Sequence, residues 1–131
     1  MPKSIEEEKI VQIYDLEMGK VIFYENYLVI EVAEGICFGY EKAKELSALT
    51  NLHFQNRPFG YISNRINSYS IEPTDYMRIK DVFPNLKAFA AVVYNRVQQT
   101  SINIENMFLQ NGITTFQDLE TAQTWIKAEL E

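Results

Sequence analysis

Apolar and polar side chains alternate along Ile10–Asp15, with Ile10, Gln12 and Tyr14 set against Val11, Ile13 and Asp15, the period of a half-buried strand. Met18-Gly19-Lys20 reads as a turn. Lys20–Tyr24 and Tyr27–Ala33 follow, both rich in β-branched and aromatic residues. Only Glu25-Asn26 separates them, and an Asn at the second position of a two-residue turn tolerates positive φ, so a tight hairpin is expected. The first third is thus an antiparallel meander.

The two-residue period then stops. Tyr40, Ala43, Leu46, Leu49 and Leu52 recur every third position among Glu and Lys, which predicts one amphipathic helix with those five residues inward. Pro58–Ser63 returns to strand character through Phe59, Tyr61 and Ile62, and a polar loop, Asn64 to Ser70, follows. Pro73 suits the first turn of a helix, where its missing N–H costs nothing, with Tyr76, Ile79 and Val82 inward. Lys87–Tyr94 is the most apolar run in the chain, as expected of a central parallel strand covered on both faces. Thr100 or Ser101 would cap the next helix, with Ile104, Met107 and Phe108 inward and Gly112 after its end. Ile113–Phe116 is a short last strand. Asp118 caps a final helix whose inner residues are Leu119, Ala122, Trp125, Ile126 and Leu130.

This order predicts an α/β fold of about six strands and four helices, one mixed sheet in which the meander leads into right-handed β–α units. Phe59–Ile62 and Ala88–Tyr94 should run parallel, opening the Arg65 turn at their shared carboxyl end, where open α/β sheets bind ligands. The chain has 131 residues, the size of one domain, and 47% are hydrophobic, enough for a core without metals or disulfides. The acidic start, residues 1–8, reads as a flexible tail before a single domain over residues 9–131. It lacks the basic-then-apolar pattern of a secretory signal, no stretch is apolar enough to span a membrane, and there is a single cysteine; a cytoplasmic protein is expected.

Net charge is −6, which argues against nucleic acid as a partner. The segment from Arg57 to Thr100 nevertheless carries six basic side chains against three acidic ones, so a local anion site is conceivable there. With one histidine and one cysteine no metal centre is expected, and the five scattered glycines form no phosphate-binding loop; no cofactor is predicted.

The ending Phe116-Gln-Asp118-Leu-Glu-Thr-Ala122-Gln-Thr-Trp125-Ile126 resembles that of small bacterial STAS-type domains, the fold of anti-sigma-factor antagonists. The order of elements from Tyr27 to Glu131 resembles that fold as well. The resemblance implies a regulatory, protein-binding domain without enzymatic activity. In the best-known branch, the loop after a central strand carries a phosphorylated Asp-Ser-x-Gly. Here that loop reads Ser63-Asn64-Arg65-Ile66-Asn67-Ser68-Tyr69-Ser70, without that motif, so the phospho-switch is not implied. Larger relatives of the fold hold lipids, which makes a small anion or a lipid the alternative ligand.

The candidate site is therefore Ser63, Asn64, Arg65, Asn67, Ser68, Tyr69 and Tyr76, as a face for an unknown protein partner or a pocket for a small ligand. The competing reading is a solvated loop whose Asn and Ser bond their own backbone. Tyr61, Tyr69 and Tyr76 either wall a pocket or belong to the core. Cys37, between Ile36 and Phe38, has no adjacent base and is read as buried and inert. His53, at the end of the first helix, is read as a cation facing the helix dipole. No nucleophile–base pair stands out, so no catalytic residue is predicted. The strand at Ile10–Asp15 would form an exposed edge on which a homodimer could pair.

Overall fold

The computed structural model describes residues 9–131; the expected N-terminal tail lies outside them. Three strands, β1 (Gln12–Leu16), β2 (Gly19–Phe23) and β3 (Tyr27–Val32), form the antiparallel meander. A two-residue strand β4 (Cys37–Phe38) leads into α1 (Tyr40–Phe54), and β5 (Phe59–Asn64) then lies parallel to β3. A second short strand, β6 (Ser70–Ile71), pairs in parallel with β4 in a small separate sheet. A 3-10 helix (Pro73–Arg78) and one turn of α2 (Ile79–Val82) connect to β7 (Leu86–Val92). The chain closes with α3 (Arg96–Glu105), a 3-10 turn (Asn106–Phe108), β8 (Thr114–Phe116) and α4 (Leu119–Glu129). The main sheet runs β1-β2-β3-β5-β7-β8 and is mixed, with β3 joining the antiparallel and parallel halves.

The predicted premise holds: β5 and β7 are parallel, pairing Ile62 with Ala90 and Asn64 with Val92. Alternation along the strands divides the core. Phe23, Leu28, Ile30, Phe59 and Tyr61 face Leu46 and Phe54 of α1, whereas Val29, Ile62, Ala88, Ala90 and Val92 face Ala122 and Ile126 of α4. Gly60 lets α4 close on the sheet, because any side chain there would collide with Ile126. The expected cap of α4 is in place, with Asp118 Oδ1 accepting from Thr121 N–H at 2.8 Å.

Three expectations need correction. Leu52 is 67% exposed; the buried stripe of α1 is Leu46, Thr50 and Phe54. A strict three-residue spacing falls about 60° short of a full turn at each step, so by Leu52 it has walked to the solvent side. α3 starts earlier than either proposed cap, since Asn95 Oδ1 accepts from Gln98 N–H at 2.9 Å. Its inner positions are Ile102 and Glu105, leaving Ile104 and Met107 exposed. The Glu25-Asn26 turn does not place Asn26 at positive φ, as Gln55 is the one non-glycine residue there among the described residues. Instead the Tyr24 N–H reaches the Tyr27 carbonyl, and Asn26 accepts from Arg57 and Gly60. The helix expected to start at Pro73 is present, as a 3-10 helix that runs on into α2.

Candidate functional site

The side of the sheet that carries α1 and α3 is not sealed. Between it and the strap formed by β6, the 3-10 helix and α2 lies a cleft. It encloses about 50 Å³, and about 600 Å³ with the open mouth included; the enclosed part has room for a few waters. Its walls are mostly apolar: Phe38, Tyr40 and Ala43 from β4 and α1, Tyr61 and Phe89 from the sheet, and Ile71, Tyr76, Ile79 and Phe83 from the strap. The rings touch one another, Tyr61 with its sheet neighbour Phe89 at 4.9 Å and Phe89 with Tyr76 of the strap at 6.1 Å.

The floor is polar and buried. Ser63 and Asn64 end β5 and Arg65 follows directly, each 4% exposed. The Arg65 guanidinium donates from both terminal nitrogens to the two carboxylate oxygens of Glu105 on α3, 2.7 Å each, and from Nε to Ser63 Oγ at 3.1 Å. Glu105 also accepts from Tyr76 Oη and Ser101 Oγ, both at 2.7 Å, while Ser63 Oγ and Tyr69 Oη lie 3.0 Å apart. Burial alone would raise the Glu105 pKa, but the bonds and charge of Arg65, helped by Ser101 and Tyr76, hold it below the usual range. Burial likewise opposes the Arg65 charge and is outweighed, with the Glu105 hydrogen bond foremost, so the guanidinium is held above its ordinary pKa. Both groups are therefore charged and the floor as a whole is neutral. Burial pushes the Tyr61, Tyr69 and Tyr76 hydroxyls above their ordinary pKa, so all three stay protonated.

The strap is tied to the start of α1 at the mouth. Asp75 Oδ2 accepts from Tyr40 N–H at 2.8 Å, serving as the side-chain cap that Gly39 at the start of α1 cannot provide. Gly39 makes the approach possible, since an added Cβ would sit 3.1 Å from that oxygen. The Arg78 guanidinium lies 3.9 Å over the Tyr40 ring and 3.5 Å from Asp75.

The seven candidate residues separate in this geometry. Ser63, Arg65, Tyr69 and Tyr76 meet at the cleft. Asn64 points to the α4 side, where it bonds Glu31 at 3.0 Å and Tyr94 Oη at 2.6 Å. Asn67 and Ser68 tie the loop to the turn after β3, through the Val32 carbonyl and the Glu34 carboxylate. The sequence reading missed Glu105, Ser101, Asp75 and Tyr40. A signal for Glu105 existed: a carboxylate three residues after Ile102, with the other charged residue of its helix, Arg96, nine positions away.

Two other expectations fail. Cys37 is exposed, because β4 lies in the small outer sheet. His53 is no helix-end cation: burial lowers its pKa, its ring stacks on Phe23 at 4.0 Å, and Nε2 lies 2.8 Å from Tyr14 Oη. Among the described residues no three His, Cys, Asp or Glu stand together as a metal site would require.

No family model matches the chain, and no curated protein does. A solved structure does, an uncharacterized protein of the DUF3478 family with a SpoIIAA-like fold from Shewanella loihica PV-4. It aligns with 96% of this chain and 98% of its own at 13% identity, with a TM-score of 0.54. The fold is SpoIIAA-like. The STAS-type resemblance of the sequence is thereby shown at the level of architecture. In this SpoIIAA-like chain the loop after β5 turns its arginine inward, against α3, rather than out from the sheet edge. No helix among the described residues is long and apolar enough to cross a membrane.

Proposed function

We propose that this SpoIIAA-like chain is a non-enzymatic, cytoplasmic binding domain whose cleft receives a small, mainly apolar ligand with a weakly polar end. The observation that carries the reading is the cleft itself, ring-walled and set over a floor whose polar groups are already satisfied. Concave, mostly apolar sites with a few convergent polar groups are where small molecules bind. A catalytic role fits poorly, because the buried ionisable groups of the floor are committed to one another and leave no free base or nucleophile. Binding of the neutral dye N-phenyl-1-naphthylamine, read by fluorescence, tests the reading. The dye should bind the native chain, and Ala43→Phe, which fills the cleft from α1, should abolish binding with the far-UV spectrum unchanged. Equal binding by both proteins would remove the cleft from consideration.

A second reading, regulation through a protein partner at the Ser63–Tyr76 face, is favoured by a different observation. Apolar side chains around that loop are exposed: Ile66 at 52%, Met77 at 74%, Val97 of α3 at 80% and Met107 of the 3-10 turn after it at 78%. Their contact would be made by these side chains rather than by the buried Ser63, Asn64 and Arg65. Affinity capture with the native chain and with Val97→Glu/Met107→Glu should give different partners; identical sets would speak against this surface.

A further inference from the structure

We infer that the Arg65–Glu105 pair sets the ligand class of the cleft, admitting uncharged head groups and turning away carboxylates and other anions. The inference rests on the proposed ligand-binding role and adds the specificity determinant. An arginine at the floor of an apolar cleft is ordinarily an anion hook, since a guanidinium presents a planar fork that fits a carboxylate. Here Glu105 already holds that position from within the protein, with one oxygen on each terminal nitrogen at 2.7 Å, and Ser63 takes the Nε hydrogen. Tyr76 and Ser101 lock the carboxylate from its other sides.

An incoming anion would lose its hydration, meet a floor with no net charge, and stand close to the buried Glu105. It would also pass Glu72 and Asp75 at the mouth, where the facing cation Arg78 is engaged with Asp75 and the Tyr40 ring. Burying a charge without a free partner is costly, whereas a hydroxyl or carbonyl end can share hydrogen bonds with Ser63, Tyr69 and Tyr76. The pair thus acts as an internal stand-in for an anionic ligand. Removing its negative half should turn the floor into the hook that the sequence suggests.

The experiment is a titration of the ¹⁵N-labelled chain with 1-octanol and with octanoate at pH 8, following the amides of β5, α1 and the strap. For the native chain, octanol should bind at least tenfold tighter than octanoate. In Glu105→Gln the preference should shift at least tenfold toward octanoate. The double variant Arg65→Met/Glu105→Met covers the case in which the single one fails to fold: it removes both charges, and should bind octanol and gain nothing for octanoate. Octanoate binding the native chain as tightly as octanol, or a gain for octanoate in the double variant, would overturn the inference while leaving the cleft as a binding site. Binding of neither compound would overturn the ligand-binding reading and this inference with it.

Discussion

The strand β7 has two sides, and they are built on different terms. Toward α4 it presents Ala88, Ala90 and Val92 to Ala122 and Ile126, small and apolar against small and apolar, with Gly60 beside them. Toward α1 and α3 it presents Phe89 and Ala91, in a region where large rings leave a cleft and a charged pair lies beneath it. One side is held by close packing, which tolerates few voids. The other is held in part by directional bonds among Arg65, Glu105, Ser63, Tyr69, Tyr76 and Ser101, a network in which every member depends on its neighbours. The close-packed side therefore answers to changes in volume and the networked side to changes in charge.

The sharpest way to break this contrast is to remove one charge. Glu105→Ala should cost about 3–5 kcal/mol, because it strands a buried guanidinium, and urea unfolding with the midpoint compared to the native chain checks it. On the packed side, Ile126→Ala should cost about 2–5 kcal/mol through the cavity it leaves. It should leave dye binding unchanged, so a loss of dye affinity would mean that the two sides are coupled through the sheet. Asp75→Ala should have a smaller effect, about 1 kcal/mol for the lost cap of α1. Its signature is faster hydrogen exchange at the amides of residues 40–43 and 73–82, with β5 and β7 unchanged.

The smallest effect is with pH. His53 titrates below its ordinary 6.5 in the folded chain, so the unfolded chain binds its proton first. Its contribution is complete above pH 6.5 and fades as pH falls toward the folded value. Glu105, also lowered from its ordinary 4.5, contributes above that pH and loses its contribution as pH falls through its folded value. Stability should therefore begin to decline just below neutrality and fall again in stronger acid. Replacing His53 with Phe should flatten only the first of these slopes.

The packed side was the more legible in the sequence. Its strands, its cap at Asp118 and its inner residues Ala122 and Ile126 follow from period and punctuation, signals carried by neighbouring residues. The networked side depends on residues far apart in the chain. Nothing local tells Arg65 that its partner stands forty positions on, or Tyr40 that its amide is capped from the strap by Asp75. Local reasoning placed the loop after β5 at the right rim of the sheet but pointed its arginine outward. The helix phase was also misread where apolar residues face solvent, as at Leu52, Ile104 and Met107, since period alone cannot say which apolar stripe the core selects.

The pairing of β4 with β6 joins the lead-in to α1 and the start of the strap in one small sheet. Cys37 stands on that sheet, exposed, as the sole thiol of the chain. A fluorophore or spin label attached there needs no engineered site and sits outside the cleft walls. It would report on whether β4 and β6 stay paired, making the native cysteine a ready-made gauge of how firmly the strap is held.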